Sequence, residues 1–159
     1  MKKLLFLTII CAAMAACGGS GADKGKNPYQ NDDAGKKESN GNPAYDPQRG
    51  EGKFDRVDIS PSLNTAMADG GKKVYDVKCS ACHKLNNEKL VGPGWLEVTK
   101  RHKPEWIMNF ITNTDAMISK DPKAQAQLEI CLVRMPNQNL SDDDARGLLE
   151  FMRQNDGVK

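Results

Sequence analysis

Two thiols and an imidazole within five residues, Cys79-Ser80-Ala81-Cys82-His83, dictate what the middle of this chain must wrap around. Cysteines at i and i+3 reach two adjacent vinyl groups of a haem from one turn of helix, and the next side chain drops beneath the ring to the iron. A redox disulfide pair would need a βαβ setting, and no strand alternation surrounds these residues. A zinc site would need a second pair of ligands, and only Cys131 and His102 remain to offer one. Covalent haem attachment is the reading the spacing supports.

The rest of the composition agrees that something other than side chains fills the core. In 159 residues there are nine aromatics (Phe 4, Trp 2, Tyr 3), few for a self-sufficient interior, and the length suits one domain or a domain with a tail. A formal net charge of +2 gives no nucleic-acid footprint, and no run of 18 apolar residues exists to span a bilayer. A monomer without nucleic-acid partners is expected.

The first third is not read as fold. Residues 1–16 open with Lys2 and Lys3, run apolar from Leu4 with only Thr8 polar, and close on small residues, the layout of a secretory signal. Met14-Ala15-Ala16-Cys17 resembles a bacterial lipobox, which makes Cys17 the lipidated first residue of the mature chain and its membrane anchor. An ordinary cleavage nearby is the alternative. Cys11 follows Ile9-Ile10, too bulky for a cleavage pocket, and leaves with the signal. Residues 17–65 are polar, Gly-rich and Asn-rich with almost no aliphatics, a composition that buries too little surface to offset its ordering entropy, so a flexible tether is expected. Packing of Phe54 to Leu63 on the domain as an extended arm is the competing reading of that stretch.

Residues 66–159 read as helices joined by long connections, an all-α domain. A first helix is expected over about Asp69 to Cys79, a short one after Gly94, and a third opening at Pro104. A fourth starts with Asp121 as N-cap and runs to about Val133. The last is capped by Ser141, carries Asp142, Asp143 and Asp144 at the positive end of its dipole, and presents Ala145, Leu148, Leu149 and Met152 on one face.

From about Gly70 to Met152 the chain resembles the class I c-type cytochromes. The matching marks are Gly71 and Tyr75, the Cys79/Cys82/His83 motif, Leu90-Val91-Gly92-Pro93, Met135-Pro136, and a C-terminal helix with Leu148 and Phe151. The resemblance implies a small cytochrome c fold around one covalently attached haem c, with first and last helices crossing at Gly71, Tyr75 and Phe151. It also implies that the Pro93 carbonyl accepts from the His83 Nδ1–H, fixing the ring as outer partners of a metal ligand do.

A sixth iron ligand has several candidates. Met108 and Met152 sit at helical spacing among apolar neighbours and read as core. His102, between Arg101 and Lys103, reads as a solvated turn, and Met117 is a weaker option. Met135 stands on a loop between helices, 52 residues after His83, with Pro136 denying helix there, and is the expected ligand. Cys131 is left without a partner and reads as a small buried hydrophobe.

His/Met ligation favours the reduced iron and suits single-electron transfer through Fe(II)/Fe(III). The chain is therefore expected to be an exported, periplasm-facing carrier between redox protein partners, not an enzyme; a haem enzyme or gas sensor with a labile sixth ligand is the alternative. Lys72, Lys73, Lys78, Lys84 and Lys89 cluster about the motif and suggest steering onto an acidic partner.

Overall fold

The computed structural model describes residues 45–159; the expected signal segment and Cys17 lie outside them. Helix α1, Thr65–Lys78, begins where the Asn64 side chain accepts the Met67 N–H. It starts four residues before the expected Asp69, because Asn64 supplies a side-chain cap and Thr-Ala-Met-Ala continues from it as helix. The last helix, α6 (Asp142–Asn155), opens on a reciprocal capping box between Ser141 and Asp144.

These two helices cross where both lack side chains. A Cβ on Gly71 would lie 2.0 Å from the Gly147 carbonyl oxygen, and one on Gly147 would lie 3.1 Å from the Met67 oxygen. Such an approach is open only to glycine. Tyr75 and Phe151 meet beside the crossing with ring centroids 5.4 Å apart, and Tyr75 also meets Trp95 at 5.0 Å.

Between them run α2 (Val98–Arg101), α3 (Pro104–Thr112), α4 (Thr114–Lys120) and α5 (Pro122–Cys131). Pro104 and Pro122 occupy first-turn positions as expected, and the Asp121 side chain accepts the Ala124 N–H to cap α5. Helix α4 was not expected, and α5 stops at Cys131 with Leu132 left-handed at φ 59 instead of continuing to Val133. Among the described residues there is no strand, only an isolated bridge between His83 and Lys89, and no helix is long and apolar enough to cross a membrane.

The polar stretch from Tyr45 to Leu63 is an ordered arm laid over α3 and α6, which moves the expected domain boundary at residue 65 back to at least Tyr45. Asn109, fully buried on α3, donates to the carbonyls of Arg49 and Phe54 and accepts the Phe54 N–H, all at 2.9–3.0 Å. Glu105 accepts the Val57 N–H, and Arg153 of α6 reaches the Ser60 carbonyl while paired at 2.8 Å with the buried Glu150. Phe54, Val57 and Ile59 pack against the core. The arm is thus held by main-chain bonds to buried side chains, with three apolar contacts to close it.

Candidate haem site

The Cys79–His83 segment continues α1 as a tight turn. The N–H groups of Cys82 and His83 both donate to the Cys79 carbonyl, at 3.0 and 2.9 Å, and the Tyr75 hydroxyl donates to the His83 carbonyl at 2.7 Å. Cys79 is buried and Cys82 half-buried. Burial pushes the Cys79 thiol up to about 11, the opposite of the depressed value a disulfide-exchange nucleophile needs. Among the described residues no group of three or more His, Cys, Asp or Glu side chains is placed to hold a metal ion, which removes the zinc reading.

The following loop folds back onto the motif through its main chain. Val91 and Gly92 donate to the Cys82 carbonyl, Trp95 to Lys84 and Leu96 to Asn86. This puts the Pro93 carbonyl 2.9 Å from His83 Nδ1. With Nδ1–H donating there, Nε2 is the nitrogen with a lone pair to give a metal. Burial lowers the affinity of His83 for a second proton, and the Pro93 bond opposes that only in part, so the ring stays neutral as a ligand must. Gly92 makes room for the ring: a Cβ there would fall 2.3 Å from His83 Cε1.

His83 and Met135 wall the same cavity, which has two lobes. The first opens to solvent and includes Cys82, Val91, Leu128, Cys131 and Pro136 in its walls. The second lies against Trp95, Arg101, His102, Trp106 and Met152. Met135 comes from the loop between α5 and α6 and is partly buried against the core. Its neighbour Arg134 ties that loop to α4, with Nη2 at 3.0 Å from Asp115 Oδ1 and 3.2 Å from the Asp115 carbonyl.

The other candidate ligands lie elsewhere or play another part. Met117 is fully buried beneath the arm, where its sulfur accepts the Glu51 N–H at 2.9 Å. Met108 is core on α3, and Met152 belongs to the wall of the second lobe. His102 is not a solvated turn residue: it is 8% exposed, stacked on Trp106 with centroids 3.9 Å apart and planes 14° from parallel. His102 is extended between α2 and α3, and Trp106 in the first turn of α3 draws its ring inward despite Arg101 and Lys103. Cys131 is half-buried on the cavity wall, not sealed in the core, because α5 ends at it and exposes its last turn.

Of the five lysines about the motif, Lys72 pairs with Asp76 and Lys84 with Glu88, each at 2.7 Å. Lys78 and Lys89 donate to the Gln138 and Ile130 carbonyls at 3.0 Å, tying the motif side to the Met135 loop and to α5. Leu90, Val91 and Val133 are exposed, Val91 and Val133 forming an apolar lip on the wall of the first lobe.

A haem fits what these residues provide. Cys82 stands in the cavity wall with Cys79 buried one turn before it, a neutral imidazole and a thioether border the same cavity, and the glycine beside the ring leaves a space that any side chain would fill. The family profile for Cytochrome c matches residues 68–156. The chain belongs to the cytochrome c family. No curated protein matches it, but three solved structures do. It is 32% identical to a cytochrome c from Rhodothermus marinus over 66% of this chain and 90% of that one, with a TM-score of 0.64. Two engineered forms of the Rhodothermus marinus protein match at 31% identity over the same shares, with TM-scores of 0.64 and, for one bound to a carbene intermediate, 0.61. As a cytochrome c of this kind, the protein is an all-α domain around one covalently attached haem c and serves as a haem-based electron carrier. The haem supplies the Fe(II)/Fe(III) couple; the protein supplies ligands, orientation and a dry surround.

Two features of this cytochrome were not legible beforehand. Gly147 also faces the helix crossing, less tightly than Gly71, and its position opposite Gly71 on the Ala145/Leu148 helix was the available signal. The burial of His102 had its signal in Trp106, four residues on.

Proposed function

We propose that this cytochrome is a membrane-tethered carrier that passes single electrons between redox proteins, with Cys79 and Cys82 bearing the thioether bonds and the iron held between His83 and Met135. The observation that carries this reading is that His83 and Met135 wall one cavity while the Pro93 carbonyl fixes the imidazole tautomer. A six-coordinate iron changes geometry little between its two oxidation states, and a thioether ligand favours the reduced one. The export and tether readings rest on residues 1–16 and on Cys17 after two alanines. The apolar lip of Val91 and Val133, together with the exposed Leu90, is the surface we expect a redox partner to cover.

The deciding experiment is the absorption spectrum of the reduced holoprotein with and without carbon monoxide. A spectrum unmoved by the gas is expected; rapid binding would establish an open sixth position and overturn the carrier in favour of a haem enzyme or gas sensor. For the anchor, incorporation of a labelled fatty acid should vanish in Cys17→Ser, and persistent soluble, unlabelled wild-type protein would remove the tether.

A further inference from the structure

The two lobes of the cavity divide their polar chemistry unequally. Cys82 borders only the first and Arg101 and His102 only the second, while His83, Pro93, Phe110 and Met135 border both. A ring tethered by its vinyl edge at the Cys79–Cys82 turn and ligated between His83 and Met135 turns its other edge away from the cysteines. That edge of a haem carries two propionate carboxylates, which need donors if they leave water.

Most donors of the second lobe are already engaged. The Trp106 indole N–H donates to Asp121 at 3.0 Å, and the Arg101 guanidinium donates to the Gly94 carbonyl at 3.0 Å and to the Leu96 carbonyl. His102 differs: its ring is 8% exposed, clamped in orientation by the stack on Trp106, and its buried Nδ1 has no hydrogen-bond partner among the described residues. An unpartnered nitrogen at that depth is costly unless something besides the chain satisfies it.

We propose that the Nδ1–H of His102 donates a hydrogen bond to one haem propionate and so positions that edge of the cofactor. The surroundings suit an anion. Burial, then the charges of Lys123 and Arg101, push the imidazole down to about 3, so the chain alone offers a neutral ring that donates, set in a positive field. A propionate held this way has part of its charge compensated and stabilises ferric iron less, which raises the reduction potential.

The test uses the holoprotein. His102→Phe keeps an aromatic ring on Trp106 and removes the donor, whereas His102→Gln returns a donor without the ring. Resonance Raman bands of propionate bending should shift in His102→Phe and the midpoint potential should fall, with the visible spectrum of the axial ligands retained; His102→Gln should recover part of both. Should His102→Phe change only the melting temperature, leaving the propionate bands and the potential in place, the residue merely packs and the proposal is overturned. The wild type gives an independent reading by nitrogen NMR of the His102 ring in the ferrous protein. A protonated Nδ1 with a slowly exchanging hydrogen is expected, and an unprotonated Nδ1 overturns the proposal even if no variant folds. The proposal rests on the bound haem and not on electron carriage: carbon monoxide binding by the wild type would sink the carrier alone, and unmoved propionate bands in an intact holoprotein would sink only the role of His102.

Discussion

The two sides of the cavity are built to different standards. On the His83 side, residues 79–96 are fixed by at least six main-chain bonds, the Tyr75 hydroxyl and the Pro93 carbonyl, with a glycine shaped to the ring. On the Met135 side, residues 132–141 hold two left-handed non-glycine residues, Leu132 and Asn139, short local bonds, and surface ties from Arg134 and Lys78. Backbone bonds that close within a turn cost little chain entropy and persist, whereas a loop held by exposed side chains opens locally. Of the two ligands we propose, one is therefore set by the fold itself and the other by a loop that must stay docked.

The largest effect expected is on the fixed side. Replacing Cys79 and Cys82 together by Ala should abolish covalent haem, read as loss of haem staining after denaturing electrophoresis. Since the core around the cavity lacks a filler without it, cooperative thermal unfolding should go too. Retention of covalent haem by the double variant would show that other residues attach it.

Next comes the loop side. Met135→Ala should open the sixth position, so that carbon monoxide binds the ferrous protein rapidly and the midpoint potential falls. The loss of stability should be about 2 kcal/mol, the low end for Met→Ala, because the side chain is only partly buried. An unchanged spectrum would remove Met135 as the ligand and with it the contrast between the two sides.

The fixed side was also the more legible in sequence, and for the same physical reason. Cys79, Cys82, His83 and the caps Asp121 and Ser141 act through partners a few residues away, and local partners leave local patterns, whereas Pro93 was expected from the family resemblance alone. What stayed hidden depends on distant partners. The arm from Tyr45 looked like tether because its composition is polar; it is ordered by Asn109, more than fifty residues on, whose single amide satisfies three main-chain groups. Likewise Met117 gave no sign that its sulfur accepts from Glu51, nor α4 that seven residues would close a separate helix between Asn113 and Asp121. His102 was misjudged by its charged neighbours, although the stack on Trp106 obeys a spacing the sequence displays.

Weakening the fixed side without removing a ligand is the third way to sharpen the comparison. Gly92→Ala places a methyl 2.3 Å from His83 Cε1, and the loop, tied by the Cys82 carbonyl, has little room to yield. A cost of about 1–3 kcal/mol is expected, with a moved Soret band from a tilted imidazole and the Met135 side untouched. A wild-type spectrum and melting temperature would show that this loop is as pliant as the other.

The smallest effect should fall on the loop side, where it is nonetheless diagnostic. Arg134→Gln breaks the contact with Asp115, whose side chains are 47% and 68% exposed, so global stability should drop by no more than about 0.5 kcal/mol. That loss falls almost wholly on the docked state of the loop carrying Met135, because the side-chain hydrogen bonds of Arg134 go to Asp115 of α4. Imidazole added to the ferric protein competes for the sixth position only when the loop lifts. Its binding should therefore quicken about twofold in Arg134→Gln, the factor that corresponds to 0.5 kcal/mol. Raising the salt should bring the wild type up to the variant by screening the same pair. Equal rates at low salt would mean that the loop is held by the burial of Met135 itself, and that the two sides differ in construction but not in firmness.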